Sequence, residues 1–190
     1  MFMPFAFVLI LLTVPLAGGR LGRLSEIRVR HSGLIALALG LQVLMTSVIA
    51  DAPHALLIGL HMTSYALVAW ALWGNRSIPG LPLIALGGGT NASVIALNGG
   101  TLPASADALA RAGFPTDPAV YKNSGVLKDP VLAWLGDIAA TPGWLPFRNV
   151  ISIGDVVVLI GAAVMLHTVC RSQLHAAVAS RRSTEATVAA

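Results

Sequence analysis

Five apolar stretches, residues 2–18, 33–50, 54–73, 81–98 and 151–170, alternate with shorter polar segments along this chain, and charged side chains are almost absent from them. A hydrocarbon core about 30 Å thick is crossed by roughly 20 apolar helical residues, with 17 to 25 the usual range. The pattern therefore predicts an all-α membrane protein. Its expected form is a bundle of five transmembrane helices with an ordered extracytoplasmic segment between helices 4 and 5. The expected organisation is one transmembrane domain over 1–170, an outer lid over 99–150 and a cytoplasmic tail over 171–190. Pro4 is tolerated near the start of the first helix, and Pro15 is expected to kink or end its last turn.

Between the fourth and fifth stretches the pattern changes. Residues 99–150 hold Phe114, Tyr121, Trp134, Trp144 and Phe147, too many aromatics for a solvated linker. Ser105 is placed to cap a helix running to about Ala112, with Gly113 as its stop. Asp129-Pro130 opens a second predicted helix that ends at Gly136 and carries Val131, Leu132, Trp134 and Leu135. A connection of this length with so many apolar residues points to an ordered lid, and ordered loops are where function concentrates.

Composition sharpens the membrane reading. Apolar residues make up 56% of the 190 and charged ones 11%, against about 25% charged in soluble domains. The formal charge of +4 does not indicate nucleic acid, because no basic face interleaved with aromatics is present. The basic residues stand instead at the borders of the apolar stretches. Arg20, Arg23, Arg28, Arg30, Arg76, Arg171, Arg181 and Arg182 fall in the first and third connections and the tail, with the acids Glu26 and Glu185. Arg111, Lys122, Lys128 and Arg148 fall on the other side, with Asp51, Asp107, Asp117, Asp129, Asp137 and Asp155. The positive-inside rule then orients the chain with its N-terminus outside and its C-terminus in the cytoplasm. No Lys or Arg precedes Arg20, so the first stretch reads as a retained anchor rather than a cleaved signal. Trp70 and Trp73 fall where the third span meets the inner interface. Residues 20–30, with Leu21, Leu24 and Ile27 between arginines, read either as a short helix on the inner surface or as a solvated linker.

Several motifs invite chemistry. Ser152-Ile-Gly-Asp155 has the spacing of a capping box, in which hydroxyl and carboxylate satisfy each other's backbone N–H groups. Asn98-Gly99-Gly100 can end the fourth helix, the glycines supplying left-handed turns. Asn91 lies one heptad before Asn98 and shares its face. Gly87-Gly88-Gly89 reads as a close-packing surface, with Gly88/Ala92 and Gly89/Ser93 as its small pairs. Asn98, Asp137, Arg148 and Asp155 are the candidate binding cluster at the outer surface, while Ser152, Asp155, Gly99 and Gly100 are candidate structural caps. His61 and His167 differ in depth by about 13 Å at 1.5 Å per residue, which argues against one haem between them. Cys170 is alone, and no Cys/His spacing suggests a metal. No catalytic residue, cofactor or metal is expected.

Gly18-Gly19-Arg20-Leu21, Asn98-Gly-Gly-x-x-Pro103, Leu135-Gly-Asp-Ile138, and Arg148 followed by Ser152-Ile-Gly-Asp155 together resemble a family of small bacterial polytopic membrane proteins of unknown function. The likeness runs over roughly residues 15–165. It implies a bacterial cytoplasmic membrane and an ordered outer segment, and no reaction. Thr101-Leu102 stands where the family pattern often has a basic residue and Met. The expected role is a non-catalytic accessory or ligand- or lipid-binding membrane component, whose partners are the bilayer and a protein or lipid at the lid. The alternative is a small enzyme or transporter acting on a lipid-linked or periplasmic small molecule.

Overall fold

Where the apolar runs meet glycine, proline or a capping side chain, they stop. A computed structural model describes residues 2–49, 52–116, 124–145 and 147–174. Asp51, Asp117, Tyr121, Lys122 and the tail with Arg181, Arg182 and Glu185 lie outside the described residues. The long helices are α1 (Phe2–Leu16), α2 (Ser32–Val43), α3 (His54–Gly74) and α4 (Leu81–Leu97). Past α4 come β1 (Leu102–Pro103), α5 (Ala106–Ala112), β2 (Ser124–Gly125), β3 (Asp137–Ala140) and β4 (Val150–Ser152). The last long helix is α6 (Ile153–Val169). Pro15 falls in the final turn of α1, and Gly18 turns left-handed at φ 72° just beyond it. A π turn, Leu44–Val48, continues α2.

The chain is mostly helical, and two expectations about the fold need correction. Five helices long enough to span a bilayer are not found. Among the described residues one helix, Ala55–Gly74, is both long and apolar enough. The other four are apolar but run 15, 12, 17 and 17 residues. Their ends are trimmed by identifiable causes: a glycine turn after α1, the π turn after α2, the Asn98 cap after α4, and a strand that takes residues 150–152 before α6. The segment between α4 and α6 is also not purely helical. β1 pairs with β2 in parallel, and β3 with β4 antiparallel, with Asp137 opposite Ser152.

α4 and α6 lie antiparallel at backbone contact distance. Gly80 and Gly87 of one face Gly161 and Gly154 of the other. A Cβ on Gly161 would stand 2.9 Å from the Gly80 carbonyl oxygen, and one on Gly154 would stand 2.6 Å from that of Gly87. Only glycine permits this approach along both helices. The expected packing surface at Gly88 and Gly89 is not used, since both look onto open space. α1 packs on α6 through Val14, Leu166 and Cys170.

The helix connections gather at two ends. At the basic end the Arg20 N–H donates to the Cys170 carbonyl (3.0 Å) and the Gln173 N–H to that of Ala17 (2.8 Å). The 3-10 turn Leu21–Glu26 presses Leu21 and Leu24 onto the α1–α6 core, so its apolar side chains face protein. Asn75, buried, accepts from the Arg30 N–H (2.8 Å) and donates to the Arg30 and Ala71 carbonyls (2.8 and 2.7 Å). The opposite end carries a cap with its own small core of Ala104, Ala108, Leu109, Ala112 and Val150.

Candidate functional site

The Ser152–Asp155 segment sits where α6 meets both the cap and α4. Ser152 takes extended backbone, and its hydroxyl accepts from the Asp155 N–H (3.0 Å). Asp155 returns a carboxylate oxygen to the Ser152 N–H (3.2 Å), which completes the capping box. Asn91 reaches over from α4: its amide donates to Asp155 (3.0 Å) and its carbonyl accepts from the Ser152 hydroxyl (3.0 Å). Gly154 leaves room for that amide, since a Cβ there would lie 2.6 Å from the Asn91 side-chain carbon. Ser152, Gly154 and Asp155 thus each have a geometric task at the helix crossing. The Asn91 side chain ties α4 to the start of α6 through Asp155 and Ser152.

Asp137 stands one strand away and is 5% exposed. Its carboxylate accepts from the Ser124 hydroxyl at 2.5 Å, and its backbone carbonyl accepts from the Ser105 N–H at 2.9 Å. Burial pushes its pKa up to about 6. The Ser124 bond opposes that rise, and the negative charge of Asp155 adds to it. Ser124 was not singled out from the sequence, because its contact to Asp137 comes only with the β1–β2 pairing.

Asn98 ends α4, and its side chain is fully engaged. The amide donates to the Val94 carbonyl (2.8 Å) and the Val131 carbonyl (2.9 Å), and the side-chain oxygen accepts from the Val131 N–H (2.8 Å). Gly99 and Gly100 follow at φ 64° and 93°. The Gly100 N–H reaches back to Ile95 (2.9 Å), the long bond of a glycine-terminated helix end. The grip on Val131 also explains a correction. The helix expected from Asp129 to Gly136 is only the 3-10 turn Ala133–Leu135, preceded by Leu132 in the left-handed region at φ 54°. A backbone bonded sideways to Asn98 cannot also wind a helix.

Arg148 is not drawn into this cluster. Its guanidinium packs at Gly113, the left-handed stop of α5, where a Cβ would lie 2.7 Å from Nη1. Among the described residues the ion pair is Arg111 with Asp107 on the exposed face of α5. Asn91, Asp137, Ser152 and Asp155 therefore form one polar junction, Asn98 a second, and Arg148 neither. Every buried side-chain N or O atom among the described residues has a hydrogen-bond partner.

The histidines lie apart. The His61 ring rests on Tyr65 of its own helix at 4.5 Å between centroids. His167 is hydrogen-bonded to Thr13 (3.0 Å) and Ser172 (2.8 Å). Among the described residues no group of three His, Cys, Asp or Glu is disposed to hold a metal ion.

A concave feature that the sequence does not announce lies nearer the basic end. A cavity of about 660 Å3 opens between α3 and α4, with Gln42 of α2 also lining it, over the Gly88 and Gly89 surface that α6 leaves bare. Arg76 and Trp73 stand at one end of it and Tyr65 and Ala92 at the other.

These features define a mostly helical protein with a small α/β cap fastened to one end by side-chain amides and carboxylates. The chain belongs to the family of unknown function DUF5317, whose family model matches residues 26–167, a range that includes Asn98, Asp137, Arg148 and Asp155. No curated protein and no solved structure matches it.

Proposed function

We propose that this chain is a non-catalytic, multi-pass protein of the bacterial cytoplasmic membrane that binds lipid or a membrane partner. Its basic end faces the cytoplasm and its cap faces outward. The observation that carries the reading is uncovered apolar surface. Leu16, Val48, Trp73 and Leu86 are 60–86% exposed, and only 11% of the apolar stretch of α3 is buried. Helices apolar all round normally belong in a protein core or in lipid, and here protein does not cover them. α2 and its π turn together give 12 plus 5 helical residues, α4 and α6 have 17 each, and about 17 is the short end of the spanning range. Six arginines at one end, with Glu26 the acid among the described residues there, support the orientation.

The non-catalytic part rests on how the polar residues are used. Asn98, Ser152 and Asp155 are engaged in helix ends and in holding the cap. The exposed Trp134 and Trp144 of the cap (61% and 82%) suit a headgroup layer or a partner surface. Alkali-washed membranes should retain the chain, and material released from them in mild detergent should carry stoichiometric lipid or protein. Recovery in the aqueous supernatant, or purification of the bare chain, contradicts the reading.

One feature favours the alternative of a small enzyme or transporter: Asp137 is a buried carboxyl held by Ser124, and burial pushes its pKa up to about 6. Under that alternative Asp137→Asn abolishes the cellular phenotype of the native gene while the protein level is unchanged. Under the preferred reading the phenotype survives.

A further inference from the structure

The cavity between α2, α3 and α4 has a shape and a charge that select an occupant. Its α3 side runs from Tyr65 to Arg76, eleven residues or about 16 Å at the helical rise. One leaflet contributes about half of a 30 Å hydrocarbon core, so the trough has the length of a single lipid chain. A transmembrane helix from another protein would need a groove about twice as long. The volume of about 660 Å3 falls within the 300–1,000 Å3 typical of small-ligand sites.

The floor is open because glycine makes it so. Gly88 and Gly89 have no atom within 4 Å of where a Cβ would stand, and the helix face they form is left to the trough. The polar end is equally specific. The Arg76 guanidinium lies 4.8 Å from the centroid of the Trp73 ring, and its Nη1 donates to the Trp73 carbonyl at 3.0 Å. No carboxylate among the described residues pairs with it. A guanidinium has five N–H donors, so donors remain for an anion, and phosphate is one that its planar fork matches bidentately.

We propose that this trough holds one acyl chain of an anionic phospholipid from the cytoplasmic leaflet, with the lipid phosphate on Arg76. The proposal rests on the bilayer reading above and names the ligand class of that reading. The chain lies along Val68 and Leu72, over Gly88 and Gly89, and its methyl end reaches toward Tyr65. The aromatic ring of Trp73 sits at headgroup depth and holds the guanidinium there.

The test uses the full chain in two steps. It is first reconstituted and floated with phosphatidylglycerol/phosphatidylcholine vesicles. It is then extracted into detergent with an equal mixture of the two lipids, matched in chain length, and retained lipid is counted by native mass spectrometry. One phosphatidylglycerol per chain is expected, preferred about five- to tenfold over phosphatidylcholine. Arg76→Gln should bring that preference close to unity. Gly88→Leu, which fills the trough and improves helix propensity, should lower retention of both lipids about tenfold. Gly40→Leu is the control: Gly40 also faces open space but lies on α2 outside the trough, and retention should not change. Failure to float overturns the bilayer reading and the trough with it. Flotation with equal retention of both lipids, or with retention indifferent to Gly88→Leu, overturns the trough alone. A stoichiometric protein chain displaced by Gly88→Leu would do the same.

Discussion

Asp137 shows how a single side chain can make the cap responsive to pH. Its folded pKa, near 6, lies above the ordinary 3.8 because the carboxyl is buried and Asp155 is close. Between those two values the folded state holds a proton that the unfolded chain has released. Stability of the cap is therefore highest below about pH 4, falls as pH rises to about 6, and is level above. The loss is on the order of 2–3 kcal/mol, at 1.36 kcal/mol per pKa unit. Hydrogen exchange of residues 102–114 across this window should show the slope in the native chain and its absence in Asp137→Asn. At Ser152, truncation to Ala should destabilise by about 1–2 kcal/mol, as loss of an N-cap does, and Asp155→Ala should match it within a factor of two. A thermal-melt series in which only the Asp155 change matters would separate Asp155 from capping and give it a ligand role. Asn98→Ala should leave the melting of the bundle nearly unchanged while residues 131–135 exchange several-fold faster, because its bonds to Val131 fasten the cap rather than the helices.

At the scale of elements, the sequence was legible wherever a signal is local. Ser105 caps α5 and Gly113 stops it at φ 73°, as their positions predict. The ends of α1, α4 and α6 fall within a few residues of the ends of the apolar runs. What could not be read depends on pairing across the chain. β1 and β2 are two residues each and meet across a gap of more than twenty, Leu102 opposite Ser124, so no alternation announces them. The helix predicted after Asp129 obeyed its local caps and lost to a side chain thirty-three residues upstream. The glycine contacts of α4 were sought at a spacing of four, whereas Gly80 and Gly87 are seven apart and meet Gly154 and Gly161, also seven apart. Only the facing helix distinguishes Gly87 from its neighbours Gly88 and Gly89. Consequently Gly87→Ala and Gly161→Ala should each destabilise by about 1–3 kcal/mol, the range for overpacking. Gly88→Ala should be neutral or slightly stabilising. Equal effects at Gly87 and Gly88 in a thermal-melt comparison would contradict the antiparallel glycine contact.

For the whole molecule, the proposed account joins three features. Apolar helices carry large exposed hydrophobic side chains, arginines collect at one end, and a small folded cap closes the other. The candidate site was partly visible in the sequence, since the Ser152–Asp155 and Asn98-Gly-Gly segments do lie at the cap–bundle junction. Arg148 shares with them the expected position at the outer surface, yet it packs on Gly113 instead. The trough beside Arg76 was invisible because an open space is a property of three helices together. The most direct measurement is labelling with a membrane-impermeant maleimide in intact cells, using a Cys170→Ala background that removes the lone cysteine. One variant carries Ser77→Cys at the basic end and another Gly143→Cys in the cap, both exposed positions. The account predicts that Gly143→Cys labels at once and that Ser77→Cys labels only after the cells are permeabilised. The reverse pattern, or both cysteines in an aqueous fraction free of lipid, would contradict it.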